Sequence, residues 1–469
     1  MPSTNLLTLT DSYKLSHYKQ YPSGSQRVFS YFESRVGAKF DSTVFFGLQA
    51  ILKEHLVGQV VTEAKIADAK ALSDAHMGPG LFNDTGWVRL LQRHKGTLPV
   101  RIRAVLEGTV VPTGNVLMTI ENTDPEFPWL TNYLETLLVQ VWYPSTVATQ
   151  SREMKKTILK YLTETGDPSL INFKLHDFGF RGSTSVESAG LGGAAHLVNF
   201  MGTDTIRGLE YARDYYAAGI AGFSIPASEH STITSWGREH ENDAMRNMLN
   251  QYPSGLVACV SDSWDIFSAC ATIWGKELKN KVLARDGVLV VRPDSGEPVD
   301  IVPRVMRLLG ERFGQLMNDK GYLVLDKHVR MIQGDGITAD SLGQILEAVK
   351  QAGYSADNLA FGSGGGLLQN VNRDTQRFAF KCSAIQVNNE WRDVYKAPAT
   401  DPTKNSKAGR LTLYRDKLGM YITDTVDTLR HKGKAEDVMV TVFEDGKLLI
   451  DQNFAAVRSL ASRGIVNDN

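Results

Sequence analysis

The chain has 469 residues, more than one small core uses, so two or more lobes are expected. Its 42% hydrophobic and 22% charged residues are ordinary for a globular protein, and a formal net charge of -1 supplies neither a basic field for nucleic acid nor an acidic excess for disorder. Cys259, Cys270 and Cys382 lack disulfide or zinc spacing, no apolar run nears about 18 residues, and the start does not resemble a signal peptide, so a cytoplasmic protein without a membrane span is expected.

Short strand-like runs at Val28–Phe32, Val100–Val105 and Val116–Ile120 alternate with helical stretches over the first 145 residues. A helix is then predicted from an N-cap at Ser145, with Met154, Ile158 and Leu162 at helical spacing and Gly166 and Pro168 closing it. From there seven apolar runs each end in a polar cluster, marked by His176, Asp204, His230, Asp262, Asp294, Asp335 and Gly364. The markers lie roughly 30 residues apart, the length of one strand–helix unit. This rhythm fits a parallel α/β barrel or an open doubly wound sheet, and both bind ligands at the carboxyl ends of their strands. After Lys381 a basic loop leads into a hairpin-like β segment. The expected division is residues 1–145 as the first part of a β-rich lobe, 146–380 as a β/α barrel, and 381–469 as a β-containing segment packed with the N-terminal part.

The strand ends carry the chemistry. In "AFGSGGGLL" the glycines free backbone N–H groups to approach an anion, and "QGDG" stands one unit earlier, with Arg373 shortly after. Two glycine clusters and an arginine suit a phosphate monoester, although a plain turn is the alternative for either. In "VRPDSGEP", Arg292 and Asp294 are two apart on an extended chain and point to one side. They form either an internal ion pair or a cation for an anionic leaving group beside a carboxylate for ribose hydroxyls or magnesium. Arg181 offers a second cation, and Phe178 a stacking surface for a flat ring. Magnesium takes one or two carboxylates plus substrate phosphates, which suits scattered aspartates better than a dedicated cage. His230, in "FSIPASEHST", is open to four readings: a packed histidine, a metal ligand, a general base, or a less common role.

Taken together, "TDSYKLSHYKQYP", "LHDFGFRG", "GTDT", "PASEHSTIT", "VSDSWD", "VRPDSG", "QGDG" and "FGSGGGLLQ" resemble the nicotinamide phosphoribosyltransferase family, in order, from about Asn5 to Arg410. The resemblance implies a type II phosphoribosyltransferase: an α/β protein with an irregular parallel β/α barrel and a second, β-rich α+β lobe. It implies transfer of phosphoribosyl from 5-phosphoribosyl 1-pyrophosphate to nicotinamide in NAD salvage, with Mg2+, and with ATP as co-substrate. It further implies a homodimer with shared active sites.

By the same resemblance, Phe178 stacks on the pyridine ring, Tyr13 of the partner subunit covers the other face with Asp11 nearby, and Asp204 accepts from the carboxamide. Ser261 and Arg292 lie near the carboxamide end, and Arg181, counted with the nicotinamide set, lies near the phosphates. Asp294, Gly334, Asp335, Gly364, Gly365 and Arg373, with Arg292, surround ribose and 5′-phosphate. Arg35, Lys381, Lys396 and Lys404 line the pyrophosphate or ATP end. His230 is phosphorylated by ATP, with Glu229 beside it; as neighbours on a strand the two would face opposite sides. Ile225 stands where other members carry valine, Phe180 where tyrosine is common, and "VGAKFDST" after Arg35 is short beside vertebrate members.

One rival reading is the same chemistry on nicotinate. Against it, two carboxylates about 4 Å apart repel by roughly 1 kcal/mol in water and about 4 at an effective dielectric of 20, so Asp204 disfavours the acid. The rival of another class is a non-catalytic ligand-binding or signalling protein on the same fold, which would be expected to lack His230, Asp294 or the glycines.

Overall fold

The computed structural model describes residues 4–400, 405–431 and 436–465. The chain divides into two compact units, one of residues 1–149, 214–218 and 372–469, the other of 150–213 and 219–371. The change of lobe expected at 380/381 falls inside a strand, Phe378–Val387, which pairs antiparallel with Ser25–Ser34 and so belongs with the N-terminal residues.

The first unit is built on a seven-stranded antiparallel sheet. Its order is Glu390–Asp393, Phe378–Val387, Ser25–Ser34, Val116–Asn122, Val100–Ala104, Val440–Glu444 and Lys447–Leu448. C-terminal strands thus flank N-terminal ones on both sides. The core beneath is aromatic: Trp87, fully buried, meets Trp129 and Tyr133 edge-on at 4.8 and 5.1 Å. Residues 214–218 belong to this unit because Tyr216 is buried against Phe46 and its hydroxyl donates to Glu107 Oε2 at 2.8 Å. Glu107, itself buried, also accepts from the backbone N–H groups of Gly47 and Gln49 and caps the helix Leu48–His55. The hairpin expected after the basic loop is present as Leu411–Arg415 and Tyr421–Thr425.

The second unit carries six parallel strands: β1 Leu175–Asp177, β2 Gly202–Thr203, β3 Ser254–Val260, β4 Asp286–Arg292, β5 Val329–Gln333 and β6 Leu359–Ser363, in the order β2-β1-β6-β5-β4-β3. The two edge strands are joined by an irregular segment, where Phe223 bridges Gly202 and Ala227 bridges Ala258 in parallel. Pro226 in that segment has no N–H for the ladder, and its carbonyl accepts from Ala258 N–H at 2.9 Å. Of the two folds the rhythm allowed, this is the α/β barrel, irregular as the family resemblance implies, with the third of the seven runs a connector and not a regular strand. The strands read as continuous apolar runs because both of their faces are covered. The helix after β5 spans Ala339–Gln351 and is capped by Thr338, whose hydroxyl accepts from Ser341 N–H.

Ser145 is not an N-cap. The helix runs Trp142–Thr165, and Ser145 lies inside it with its hydroxyl exchanging hydrogen bonds with the backbone of Phe46 at 3.1 Å. Serine is a common start signal, but Pro144 is tolerated in a first helical turn, so the helix begins earlier.

At the amino-terminal end of the barrel, Lys174 is buried and donates to the carbonyls of Ala356, Asp357 and Leu359 at 3.2, 2.9 and 3.1 Å. It ties the entry of β1 to the entry of β6. Burial lowers its pKa from 10.5 to about 8. Between those values the unfolded chain binds more protons, so this residue's contribution to stability rises with pH across the window, and its desolvation cost is fully present below about 8. Lys174→Met leaves three buried carbonyls without their donor and should lower stability by about 1–3 kcal/mol at pH 7. Denaturant unfolding at pH 7 and pH 10 should show the wild-type advantage widening at the higher pH.

Candidate active site

A cavity of about 810 Å³ opens in the second unit, and the loops at strand ends line it. Phe178–Gly182 follow β1, Asp204 and Thr205 follow β2, Glu229–Ser231 follow the irregular connector, and Arg292 and Asp294 stand at the end of β4. Gly334–Thr338 follow β5, and Gly364–Gly366 follow β6.

Phe178 continues the β1–β6 ladder by donating its N–H to the Ser363 carbonyl at 3.0 Å. Its ring lies against Gly362, where an added Cβ would come within 2.0 Å of a ring carbon. The Arg292 guanidinium sits 5.5 Å from the ring centroid, within cation–π range. Arg292 also makes a bidentate pair with Asp294, at 3.0 and 2.6 Å. The two readings of this pair are therefore not exclusive: it is an internal ion pair and it faces the cavity. Asp204 donates its N–H to the Asp177 carbonyl at 2.9 Å and accepts from the Ser224 hydroxyl.

The two glycine loops are held to each other. Ser363 Oγ donates to the Ile337 carbonyl at 2.8 Å, and a Cβ on Gly366 would stand 2.2 Å from that same oxygen. The helix behind the second loop, Gly365–Leu368, is only four residues long. Asp335 is exposed on the first loop. Arg181 is exposed on the turn Phe180–Gly182, which Gln369 holds through its amide on the Gly179 carbonyl at 2.8 Å.

Glu229 and His230 are not on a strand. Pro226 breaks the extended run, Glu229 precedes a short helix, His230–Thr234, and its carboxylate accepts from the Ser231 hydroxyl. The partner of His230 is Asp262: Nε2 lies 3.0 Å from Oδ1, with the imidazole 48% exposed and the carboxylate 4% exposed. An ionised carboxylate only accepts, so Nε2 carries the proton in this arrangement. Asp262 stands 32 residues from His230 in the sequence, and nothing local pairs the two.

Ser261 does not line the cavity. It is buried, receives the Trp274 indole N–H at 3.0 Å and donates to the Cys259 carbonyl at 3.0 Å. The thiols of Cys259 and Cys270 are pushed up to about 12 by burial, which leaves them inert as nucleophiles.

The other expected residues lie in the first unit. Tyr13 is 58% exposed on the turn Ser12–Lys19, and Asp11 accepts from the Thr136 hydroxyl at 2.6 Å. Arg373 is exposed, and Arg35 Nε donates to the Arg377 carbonyl at 3.1 Å. Lys381 has its pKa lowered, first by burial and then by Arg35, Lys407 and Lys396, against the opposing effect of Glu33. Lys407 pairs with the buried Glu33 and donates its N–H to the Tyr31 hydroxyl, so it belongs to this cation cluster although no motif in the sequence marks it. Lys404 lies outside the described residues.

The model of the nicotinamide phosphoribosyltransferase N-terminal domain matches residues 5–102, and that of the nicotinate phosphoribosyltransferase family matches residues 173–447. A nicotinamide phosphoribosyltransferase of Xanthomonas campestris pv. campestris is 55% identical over 97% of this chain and 98% of its own. The chain belongs to the nicotinamide phosphoribosyltransferase family. A second relative of that name, from Acinetobacter baylyi, is 34% identical over 97% of this chain and 96% of its own. Among solved structures, nicotinate-nucleotide pyrophosphorylase from Pyrococcus furiosus superposes with a TM-score of 0.60 at 14% identity, covering 97% of this chain and 95% of that one. At that identity the likeness speaks for the fold alone. No described helix is long and apolar enough to cross a membrane.

Gly362→Ala should displace the Phe178 ring and lower phosphoribosyltransferase kcat/KM by at least about tenfold, while far-UV circular dichroism stays unchanged. Gly362→Val should lose more.

Proposed function

We propose that this protein transfers phosphoribosyl from 5-phosphoribosyl 1-pyrophosphate to nicotinamide, giving nicotinamide mononucleotide and pyrophosphate, and that it couples the transfer to ATP through phosphorylation of His230. The observation that carries the reading is the joint lining of one cavity by the Phe178 ring, the Asp204 carboxylate, the Arg292–Asp294 pair and two glycine loops. Those are, in one pocket, a stacking surface, an acceptor for an amide N–H, a charged clamp, and backbone donors for a phosphate. Family membership supports the same substrates.

The chemistry asks little of general bases. As pyrophosphate leaves, the sugar takes on oxocarbenium character, and the pyridine nitrogen, which carries no proton, attacks the anomeric carbon. The protein's part is to hold the ring in line and to stabilise the leaving charge. Arg292 and Arg181 supply positive charge at the cavity wall, and Asp294 suits the ribose hydroxyls. Magnesium would neutralise diphosphate charge when bound. Asp294 and Asp335 are carboxylates in number suited to an ion carried mainly by phosphates.

For the ATP step, the His230–Asp262 contact supports Nδ1 as nucleophile, because Asp262 keeps the proton on Nε2. Nδ1 forms the bond to the γ-phosphorus as the bridging P–O bond to ADP breaks, and water later returns the phosphoryl group as inorganic phosphate. The homodimer belongs to the same proposal: Tyr13, 58% exposed, suits a ring offered to the site of a second copy, where Tyr13 of the partner subunit would cover the face opposite Phe178.

Incubation with phosphoribosyl pyrophosphate and magnesium, with nicotinamide or nicotinate, and with or without ATP, tests the reading. Nicotinamide should be converted faster and ATP should stimulate; faster turnover of nicotinate would overturn it. His230→Ala should lose both ATP stimulation and acid-labile phosphate while retaining basal transfer. Asp262→Asn should lower the rate of phosphoenzyme formation by about ten- to a hundredfold, read as incorporation of label from ATP.

A further inference from the structure

We propose that Ser228 is a positioning residue for the ATP step: its hydroxyl takes the place of a ladder carbonyl, and so lets the chain turn away from β3 with His230 still opposite Asp262. The inference deepens the phosphohistidine reading above and rests on it.

The connector meets β3 through two regular rungs. Ala258 N–H donates to the Pro226 carbonyl at 2.9 Å, and Ser228 N–H donates to the Ala258 carbonyl at 3.0 Å. Bonds in a parallel pair are evenly spaced, so the next rung would run from Val260 N–H to the Ser228 carbonyl. Val260 N–H donates instead to Ser228 Oγ, at 2.9 Å. The hydroxyl in turn donates to Cys259 Sγ, 3.6 Å away. Ser228 and Val260 are both buried, so water is no substitute acceptor for that N–H.

The exchange falls where the backbone leaves the ladder. At Glu229 the chain turns into the helix His230–Thr234. A ladder carbonyl at Ser228 would carry the chain on along β3 as an extended strand. A side-chain acceptor closes the rung and leaves the backbone free to turn. The rung stands two residues before each member of the pair, Ser228 before His230 and Val260 before Asp262. The acid has its own support: Ser261 N–H donates to the Arg292 carbonyl at 3.0 Å, and the Ser261 hydroxyl receives the Trp274 indole N–H at 3.0 Å. The imidazole is half open, and Ser228–Val260 is the rung to β3 nearest to it. Loss of that rung loosens the approach of His230 to Asp262. Phe178, Asp204 and the two glycine loops follow other strands and keep their places.

The test is the initial rate of label incorporation from γ-labelled ATP, over a range of ATP concentrations, in wild type, Ser228→Ala, Asp262→Asn and the double variant. Transfer without ATP is measured beside it. Ser228→Ala should lower the maximal rate of phosphoenzyme formation by about tenfold, with half-saturating ATP and ATP-free transfer each within about twofold of wild type. The double variant should be no more than about twofold slower than Asp262→Asn alone, because both changes act on one contact. Multiplied losses in the double variant, an unchanged rate in Ser228→Ala, or an equal loss of ATP-free transfer would make Ser228 a structural residue and overturn the inference. Failure of the parent reading looks different, and the inference falls with it: wild type would then take up no acid-labile phosphate, or His230→Ala would take up as much as wild type. Should Ser228→Ala not accumulate, Ser228→Cys puts a weak sulfur acceptor in the same place and carries the same expectation.

Discussion

The site depends on one close approach, that of the Phe178 ring to the backbone of β6. Adjacent parallel strands lie about 4.8 Å apart, so a ring just past the end of one strand must cross over its neighbour. It can do so here because residue 362 has no side chain. The register Phe361↔Leu175, Gly362↔His176, Ser363↔Asp177 sets the crossing point, and Phe178 N–H on the Ser363 carbonyl extends the ladder one residue beyond it. The remaining walls hang from that floor. Asp204 is positioned through the Asp177 carbonyl, Gly364–Gly366 follow β6 directly, and the Arg292 guanidinium approaches the ring.

A chain of net charge -1 has no global field with which to collect anionic substrates, so charge must be arranged locally. Within the cavity the arrangement is polar in the literal sense. Asp204 makes one side negative, while Arg181, Arg292 and the glycine-loop N–H groups make another side positive. Arg292 is shared between a ring face and a carboxylate, and this double engagement fixes the guanidinium before any ligand arrives. Its desolvation and ordering cost is met in folding, so on the proposed reading a leaving anion would meet a preorganised charge.

The barrel was legible because its strands are covered on both faces and therefore read as unbroken apolar runs, each stopping at a polar cluster. The Gly and Asp-rich clusters pointed to the loops that now line one cavity, including Asp294, Asp335 and Gly364. The rest was invisible for identifiable reasons. The connector before His230 looks like a strand because "FSIP" is apolar, yet Pro226 removes a ladder donor and the chain turns into a helix instead. Ser261 sits beside a cluster residue in sequence, but alternation along the backbone turns its hydroxyl to Trp274. Lys407 and Glu33 lie far apart in the chain and meet only because Phe378–Val387 pairs with Ser25–Ser34, a contact no local pattern encodes.

The side chain that meets His230 is not that of its neighbour in sequence. Glu229 turns to Ser231, while Asp262, at the end of β3, reaches the imidazole because Ala227 and Ala258 bridge the connector to that strand. The two partners differ in exposure in a useful sense: the acid is buried and held, and the imidazole is half open to the cavity. A buried acceptor with one donor selects one tautomer, and an open ring leaves the other nitrogen accessible. On the proposed reading, a phosphoryl group on that nitrogen adds negative charge to the same cavity that Arg292, Asp294 and the glycine loops line. Coupling between ATP and the transfer then needs no long mechanical path, because both events act on one set of charges within one pocket.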